Sequence, residues 1–168
     1  TRDLLREGGE RLIERTKKYL DGVVRKAPDK NLTDTFNTNL IFSLFYSTGM
    51  TIDTEEFVSV TSRSPRYYVS AAYWDRDSLL WSLPAIAIAD GKKARNLITY
   101  AFTTQMKNVG IHSRYIDGTV LEPGFELDEL CAPVIALDKY ISLTGDSSIL
   151  NKSFIMDGLE RISGMIKE

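Results

Sequence analysis

The chain holds one cysteine, Cys131, and one histidine, His112, among 168 residues. A lone cysteine excludes an internal disulfide framework and any zinc site built on cysteines. A lone histidine argues against a His-rich metal centre and against a Ser-His-Asp triad. An excess of one charge is lacking too, since 21 Lys and Arg stand against 23 Asp and Glu, for a formal net charge of -2. Such a balance has no electrostatic footprint for nucleic acid or anionic lipid. No uninterrupted apolar run approaches the roughly 18 residues of a membrane span. Neither a nucleic acid nor a membrane is therefore expected as a partner. The hydrophobic share of 43% and the charged share of 26% are those of an ordinary globular domain. What remains is mostly carboxylate-based chemistry, or none.

The chain opens at Thr1 without a charged-then-apolar leader. It stops at Glu168 in helical rhythm, without a Gly or Pro to close the last turn. Both ends read as cut, so the expectation is a piece of a longer protein. The single cysteine and the missing leader point to the cytoplasm.

Helical spacing runs nearly throughout. Leu4, Leu5, Leu12, Ile13, Leu20, Val23 and Val24 form one stripe, which Ala27-Pro28-Asp29 ends. Phe36 to Tyr46 is apolar almost all round and predicts a buried helix, with Gly49 as its C-terminal cap. Residues 50–73 lose the period and read as a long loop, with at most a short strand. A second buried helix is predicted from about Asp77 to Ala89, with Trp81 in its core and Pro84 as a kink. Asp90-Gly91 turns the chain into an amphipathic helix with Ala94, Leu97, Ile98, Ala101 and Phe102 on one face. A loop over Asn108–Phe125 leads to a third apolar helix, Glu126 to Leu143, with Cys131 in its core. Thr144-Gly145-Asp146 turns again, Asp146 or Ser147 can cap, and Ile155, Leu159, Ile162 and Ile166 mark the last helix.

One pattern occurs twice. A long polar loop leads to an acidic cluster at a helix start, then to an apolar helix, a Gly/Asp turn and an amphipathic helix. The clusters are Trp74-Asp75-Arg76-Asp77 and Phe125-Glu126-Leu127-Asp128-Glu129, and Asp77 and Asp128 lie 51 residues apart. A period near 50 with two helices per unit predicts an all-α architecture of stacked helical hairpins, inner helix then outer helix. The loops entering the inner helices would converge at one end, with their acidic groups at helix N-termini, where the dipole favours anions.

Trp74-Asp75-Arg76-Asp77 puts an aromatic plane, a cation and two anions within one turn, a set suited to a sugar's C–H face and neighbouring hydroxyls, and Tyr67, Tyr68 and Tyr73 just upstream add aromatic surface. The competing reading is a capping Asp with an Arg–Asp pair that ties loop to helix. Glu126, Asp128 and Glu129 crowd three carboxylates into four residues. Asp128 and Glu129 point about 100° apart on a helix and so should not face one point, and a solvated helix start is the plainer account. Asp117-Gly118 reads as a turn. His112 reads as a satisfied loop histidine rather than a ligand contact.

Tyr73-Trp74-Asp75-Arg76-Asp77-Ser78, followed by an apolar helix, a Gly turn and an Ala-Arg helix, resembles the Trp-x-Arg-Asp segment of the six-hairpin glycosidases. The glucoamylase-like enzymes and the amylo-1,6-glucosidase domain of debranching enzymes are similar in pattern. Asp117-Gly118, Phe125 to Glu129, Tyr140 and Thr144-Gly145-Asp146 follow in a similar order, so the match covers roughly residues 67–150. The resemblance implies an (α/α)6 toroid whose Arg76 and Asp77 bind the innermost glycosyl residue, with Trp74 nearby. It also implies that Glu126, Asp128 or Glu129 line that site. The general acid and base of these inverting enzymes come from later hairpins, which here would lie beyond Glu168, so no catalytic residue is assigned.

Twelve helices of about 12 residues, with connections of about 5, need roughly 200 residues or more. The helical segments of this chain would then make about half of such a toroid, residues 1–30 serving either as its first helix or as an upstream one. The expected function is that of an inverting glycoside hydrolase fragment acting on α-glucosides or related glycans, its partner an oligosaccharide or polysaccharide. An isolated half would expose apolar flanks and call for the missing half or for self-association. A phosphorylase on the same toroid would need a cationic phosphate pocket, for which Arg114 or Arg66 are candidates. The alternative from another class is a helical-hairpin module that binds sugar or protein without chemistry.

Overall fold

Asp29 starts a helix rather than ending one. Its Oδ1 accepts the Leu32 amide at 2.8 Å, so it caps helix α2, Lys30–Tyr46. The preceding helix, α1, Gly9–Val23, stops earlier than the Ala27-Pro28-Asp29 signal suggested. The computed structural model describes residues 8–61 and 72–167. Leu4, Leu5, Arg66, Tyr67 and Tyr68 lie outside them. The chain divides into two compact units, Thr1–Ile41 and Phe42–Glu168.

In the first unit the turn between the helices is held by amide groups. The Asn37 side chain accepts from Arg25 N at 2.8 Å and donates to Arg25 O at 2.7 Å, and Thr33 Oγ1 accepts from Ala27 N at 2.9 Å. Of the predicted stripe, Val23 is buried, whereas Ile13 and Val24 face solvent. Helix α2 runs on into the second unit, and although its Leu40 and Leu44 are buried, its Phe36, Phe42, Phe45 and Tyr46 are exposed, which corrects the expectation of a helix buried all round. Hydropathy records that a side chain favours cover. It does not say which residues supply it.

In the second unit Gly49 is not a cap. It sits in strand β1, Thr48–Met50, opposite Val58 in β2, Phe57–Ser59. Three-residue strands in a Thr/Ser-rich stretch are too short to display a period of two. The predicted loop over Asn108–Phe125 is likewise a hairpin. Strands β3 (Ala72–Tyr73), β4 (Ile111–Tyr115) and β5 (Val120–Phe125) form an antiparallel sheet in the order β3-β4-β5. Pro123 is tolerated because β5 is an edge strand. The turn is Asp117-Gly118, as read, with Gly118 at φ 78. A Cβ there would stand 2.3 Å from the Thr104 carbonyl oxygen, so only glycine fits.

The fold is mostly helical, and the repeated unit is present as two helical hairpins. The first inner helix begins as a π-helical stretch, Arg76–Ser82, and continues as α3, Leu83–Ala89. The Leu83 amide bonds the Ser78 carbonyl five residues back, and Pro84, which has no amide to donate, follows at the return to α geometry. Asp90 Oδ1 accepts from the Lys92 and Lys93 amides, both at 3.1 Å, and so caps the outer helix α4, Gly91–Tyr100. That helix runs on through a π turn, Ala101–Gln105, and a 3-10 turn, Met106–Asn108. Its predicted face, Ala94, Leu97, Ile98, Ala101 and Phe102, is buried throughout.

The second hairpin is α5, Leu127–Thr144, then a 3-10 turn, Ser147–Asn151, and α6, Ser153–Lys167. Gly145, at φ 72, closes α5, and Asp146 caps the turn through the Ser148 amide at 3.1 Å. Asp146 also pairs with Arg95 of the first hairpin and accepts from Tyr140 OH at 2.6 Å. The outer helices meet at Gly158, where a Cβ would lie 2.6 Å from Phe102.

Two expectations of burial are corrected here. Trp81 is 70% exposed and Cys131 is only half-buried. Each lies on a helix that is apolar on more faces than its neighbours among the described residues cover. Among the described residues no helix is long and apolar enough to cross a membrane.

Candidate functional site

The sheet and the two inner helices bring both acidic clusters together. Tyr73 of β3 pairs with Arg114 of β4, and the chain leaves β3 directly into Trp74-Asp75-Arg76-Asp77. Leaving β5, it enters α5 with Glu126, Asp128 and Glu129 at the start. A pattern 51 residues apart in sequence thus becomes one site.

Arg76 is its centre. Its Nη1 donates to Asp128 Oδ2 at 2.6 Å and to Glu126 Oε2 at 3.4 Å, and its Nη2 lies 3.7 Å from Glu129 Oε1. Asp128 and Glu129 therefore do converge. The expectation that they could not is corrected by the shape of the partner, a planar fork whose two ends reach two directions at once. Asp128 remains half-exposed and Glu129 is wholly buried. The Arg76 hydrogen bond holds the Asp128 carboxyl below the usual aspartate range, and the same contact raises Arg76.

Asp77 is half-buried, and its carboxylate has no hydrogen-bond or ion-pair partner among the described residues. Trp74 is buried, with its ring edge-on to His112 at 6.4 Å, so it supports the site from beneath. His112 Nδ1 is 2.8 Å from Glu126 Oε1, and Nε2 is 3.5 Å from Glu122 Oε2, so the histidine has protein partners. Among the described residues no group of three or more His, Cys, Asp or Glu is placed to hold a metal ion.

Asp75, one of the two anions expected to face a sugar, is instead sealed in a buried layer with Tyr73 and Arg114. Asp75 accepts from Tyr73 OH at 2.8 Å and from Arg114 Nη2. Arg114 also donates to Asn108 O at 2.9 Å, and its guanidinium carbon stands 5.1 Å from the Tyr73 ring centre. Arg114 was a candidate for a phosphate pocket, but it is buried and engaged by Asp75. Burial raises the Asp75 carboxyl, and Arg114 opposes that shift. Burial works against the charge of Arg114, yet Asp75 and Tyr73 outweigh it and its pKa is raised. No sequence signal marked the pairing of Arg114 with Tyr73, because it is set by the register of two short strands inside what read as loops.

No family model matches the chain, and no curated protein matches it. Among solved structures it is similar to a metal-independent α-mannosidase from Streptococcus pneumoniae, seen in a non-productive substrate complex with α-1,6-mannobiose. That protein belongs to a widely distributed family studied for the processing of N-linked glycans. The TM-score is 0.62 at 22% identity, over 89% of this chain and 38% of the other. The likeness is one of fold, and the chain spans well under half of its neighbour's length.

Proposed function

We propose that this chain forms part of a glycoside hydrolase built on helical hairpins of the (α/α)6 class, and that Arg76, Asp77 and Asp128 hold a terminal glycosyl residue of an α-linked glycan. One observation carries the reading. A part-exposed guanidinium, held in place by Asp128, is followed in the chain by a half-buried Asp77 carboxylate that feels its charge but makes no hydrogen bond or ion pair among the described residues. Neighbouring sugar hydroxyls need such a pair, the carboxylate to accept their O–H groups and the guanidinium to donate to their oxygens. The fold likeness to an α-mannosidase and the six-hairpin motifs of the sequence both support a glycan ligand. α-Glucosides follow from the motifs and α-mannosides from the neighbour.

On this reading hydrolysis proceeds by single displacement, with inversion and without a metal or organic cofactor. It requires two carboxyl groups roughly 6.5–9.5 Å apart across the sugar. Glu126, Asp128 and Glu129 gather on one arginine instead of facing one another across a gap, so none of them is assigned as acid or base. Trp74 and Glu126 back the site, and the cytoplasm remains the proposed location.

The test is calorimetric titration of the natural gene product with maltose, α-1,6-mannobiose and β-linked cellobiose, repeated with Asp77→Asn. Binding of one α-linked sugar, lost in the variant, supports the proposal. No binding of any, or equal binding by the variant, overturns it. A non-catalytic interaction module is then the better account, favoured by an apolar groove of ≈ 330 Å³ between Val134 and Leu159, Ile162 and Ile166.

A further inference from the structure

The first amides of a helix have no partner inside it, and a buried start must find one elsewhere. For the first inner helix that partner stands on the other hairpin. Glu129 Oε2 accepts from the Asp75 amide at 2.5 Å and from the Arg76 amide at 3.2 Å. Its other oxygen, Oε1, is buried, 3.7 Å from Arg76 Nη2, and has no hydrogen-bond partner among the described residues. One carboxyl thus grips Arg76 at its backbone and, more loosely, at its guanidinium. Asp128 takes the other end of the same fork.

We propose that Glu129 is a positioning residue for the Arg76–Asp77 pair. It is the clamp that fixes the pair across the junction of the two hairpins, and the proton on its carboxyl sets how tightly it holds. The consequence for ligand binding rests on the glycan reading above, whereas the clamp itself does not.

The groups facing Glu129 are Asp75 from the segment before the helix, Arg76 from the helix, Arg114 from β4 and Asp128 from its own helix. Asp75 brings no relief, because its oxygens are already engaged by Tyr73 and Arg114. Burial first, and Asp75 second, lift the Glu129 carboxyl to about 8 against the pull of the two amides and Arg114. Below that pH the carboxyl is neutral and its amide bonds are the weaker, uncharged kind. Above it they become charge-assisted, and Arg76 is drawn toward Oε1.

The experiment follows the amide resonances of Asp75 and Arg76 in the selectively 15N-labelled natural gene product, from about pH 5 to about pH 9.5, beside glycan affinity. In the wild type both resonances should move together with a midpoint near 8. Glu129→Gln keeps an acceptor of the same shape and loses the titration, so its resonances should stay flat across that range. Glu129→Leu should lose hydrogen-exchange protection at both amides and bind glycan roughly tenfold more weakly or worse. Flat resonances in the wild type, or unchanged protection and affinity in Glu129→Leu, overturn the proposal. Should Glu129→Leu not fold, the wild-type titration and its loss in Glu129→Gln decide. Should no sugar bind, the function proposed above fails while the resonances still judge the clamp.

Discussion

Two arginine–aspartate pairs meet at the neighbouring residues Asp75 and Arg76, and burial sets them apart. Arg114 and Asp75 are 0% and 1% exposed, sealed under the sheet with Tyr73. Arg76 and Asp128 are 33% and 49% exposed, at the surface above them. A sealed pair is costly to break because the surviving charge has nowhere to go. A surface pair adds little to stability because water screens it, but it stays within reach of a ligand. The lower pair therefore belongs to the architecture, and the upper one is the pair proposed to meet a ligand.

The sharpest way to break that contrast is Arg114→Met. It leaves the Asp75 carboxylate buried with only a tyrosine hydroxyl and is expected to cost about 3–5 kcal/mol in urea unfolding. Adding Asp75→Asn should recover part of that loss. A cost below about 1 kcal/mol would mean that water reaches the pair. Next comes Gly118→Ala, in the turn that holds β4 and hence Arg114. With a positive φ and the Thr104 carbonyl in the way, the loss should be of order 1–3 kcal/mol. A melting curve unchanged from wild type would show that the turn can shift without disturbing β4. Arg76→Ala should cost only about 0–1 kcal/mol while abolishing glycan binding in the same preparation. The reverse result, a large stability loss with binding intact, would exchange the roles assigned to the two pairs.

The smallest expected effects are in pH. Asp128 titrates lower in the folded chain, so its contribution is present above the ordinary aspartate range and lost as pH falls through the depressed value. Glu129 titrates higher, near 8. Its contribution is full below the ordinary glutamate range and declines as pH rises toward that value. Melting temperatures against pH should show both windows, with Arg76→Ala flattening the acid one and Glu129→Gln the other.

Much of this was legible in the residues. The face Ala94, Leu97, Ile98, Ala101 and Phe102 is buried as its spacing predicts, and both Gly/Asp turns fall where they were read. The hairpins β1–β2 and β4–β5 were not legible, because their strands are short, interrupted by Gly and Pro, and held by register rather than by a hydrophobic alternation. Trp81 was misplaced for a related reason. A helix that is apolar all round does not reveal which of its faces is covered.

At the site the division is the same. Arg76, Asp77, Asp128 and Glu129 stand out by residue type and by their position at helix starts, and that information is local. Glu129 capping a helix 53 residues upstream, and Arg114 sealed against Asp75 across 39 residues, are decided by the packing of sheet on hairpin and hairpin on hairpin. The sequence by itself determined the helical period, the 51-residue repeat and the chemistry available at each helix start, since these depend on neighbours a few residues apart. Only the tertiary structure decided which charges are buried, which share one guanidinium and which face solvent. Desolvation and pairing are set by what lies within a few ångströms in space, whatever the distance along the chain.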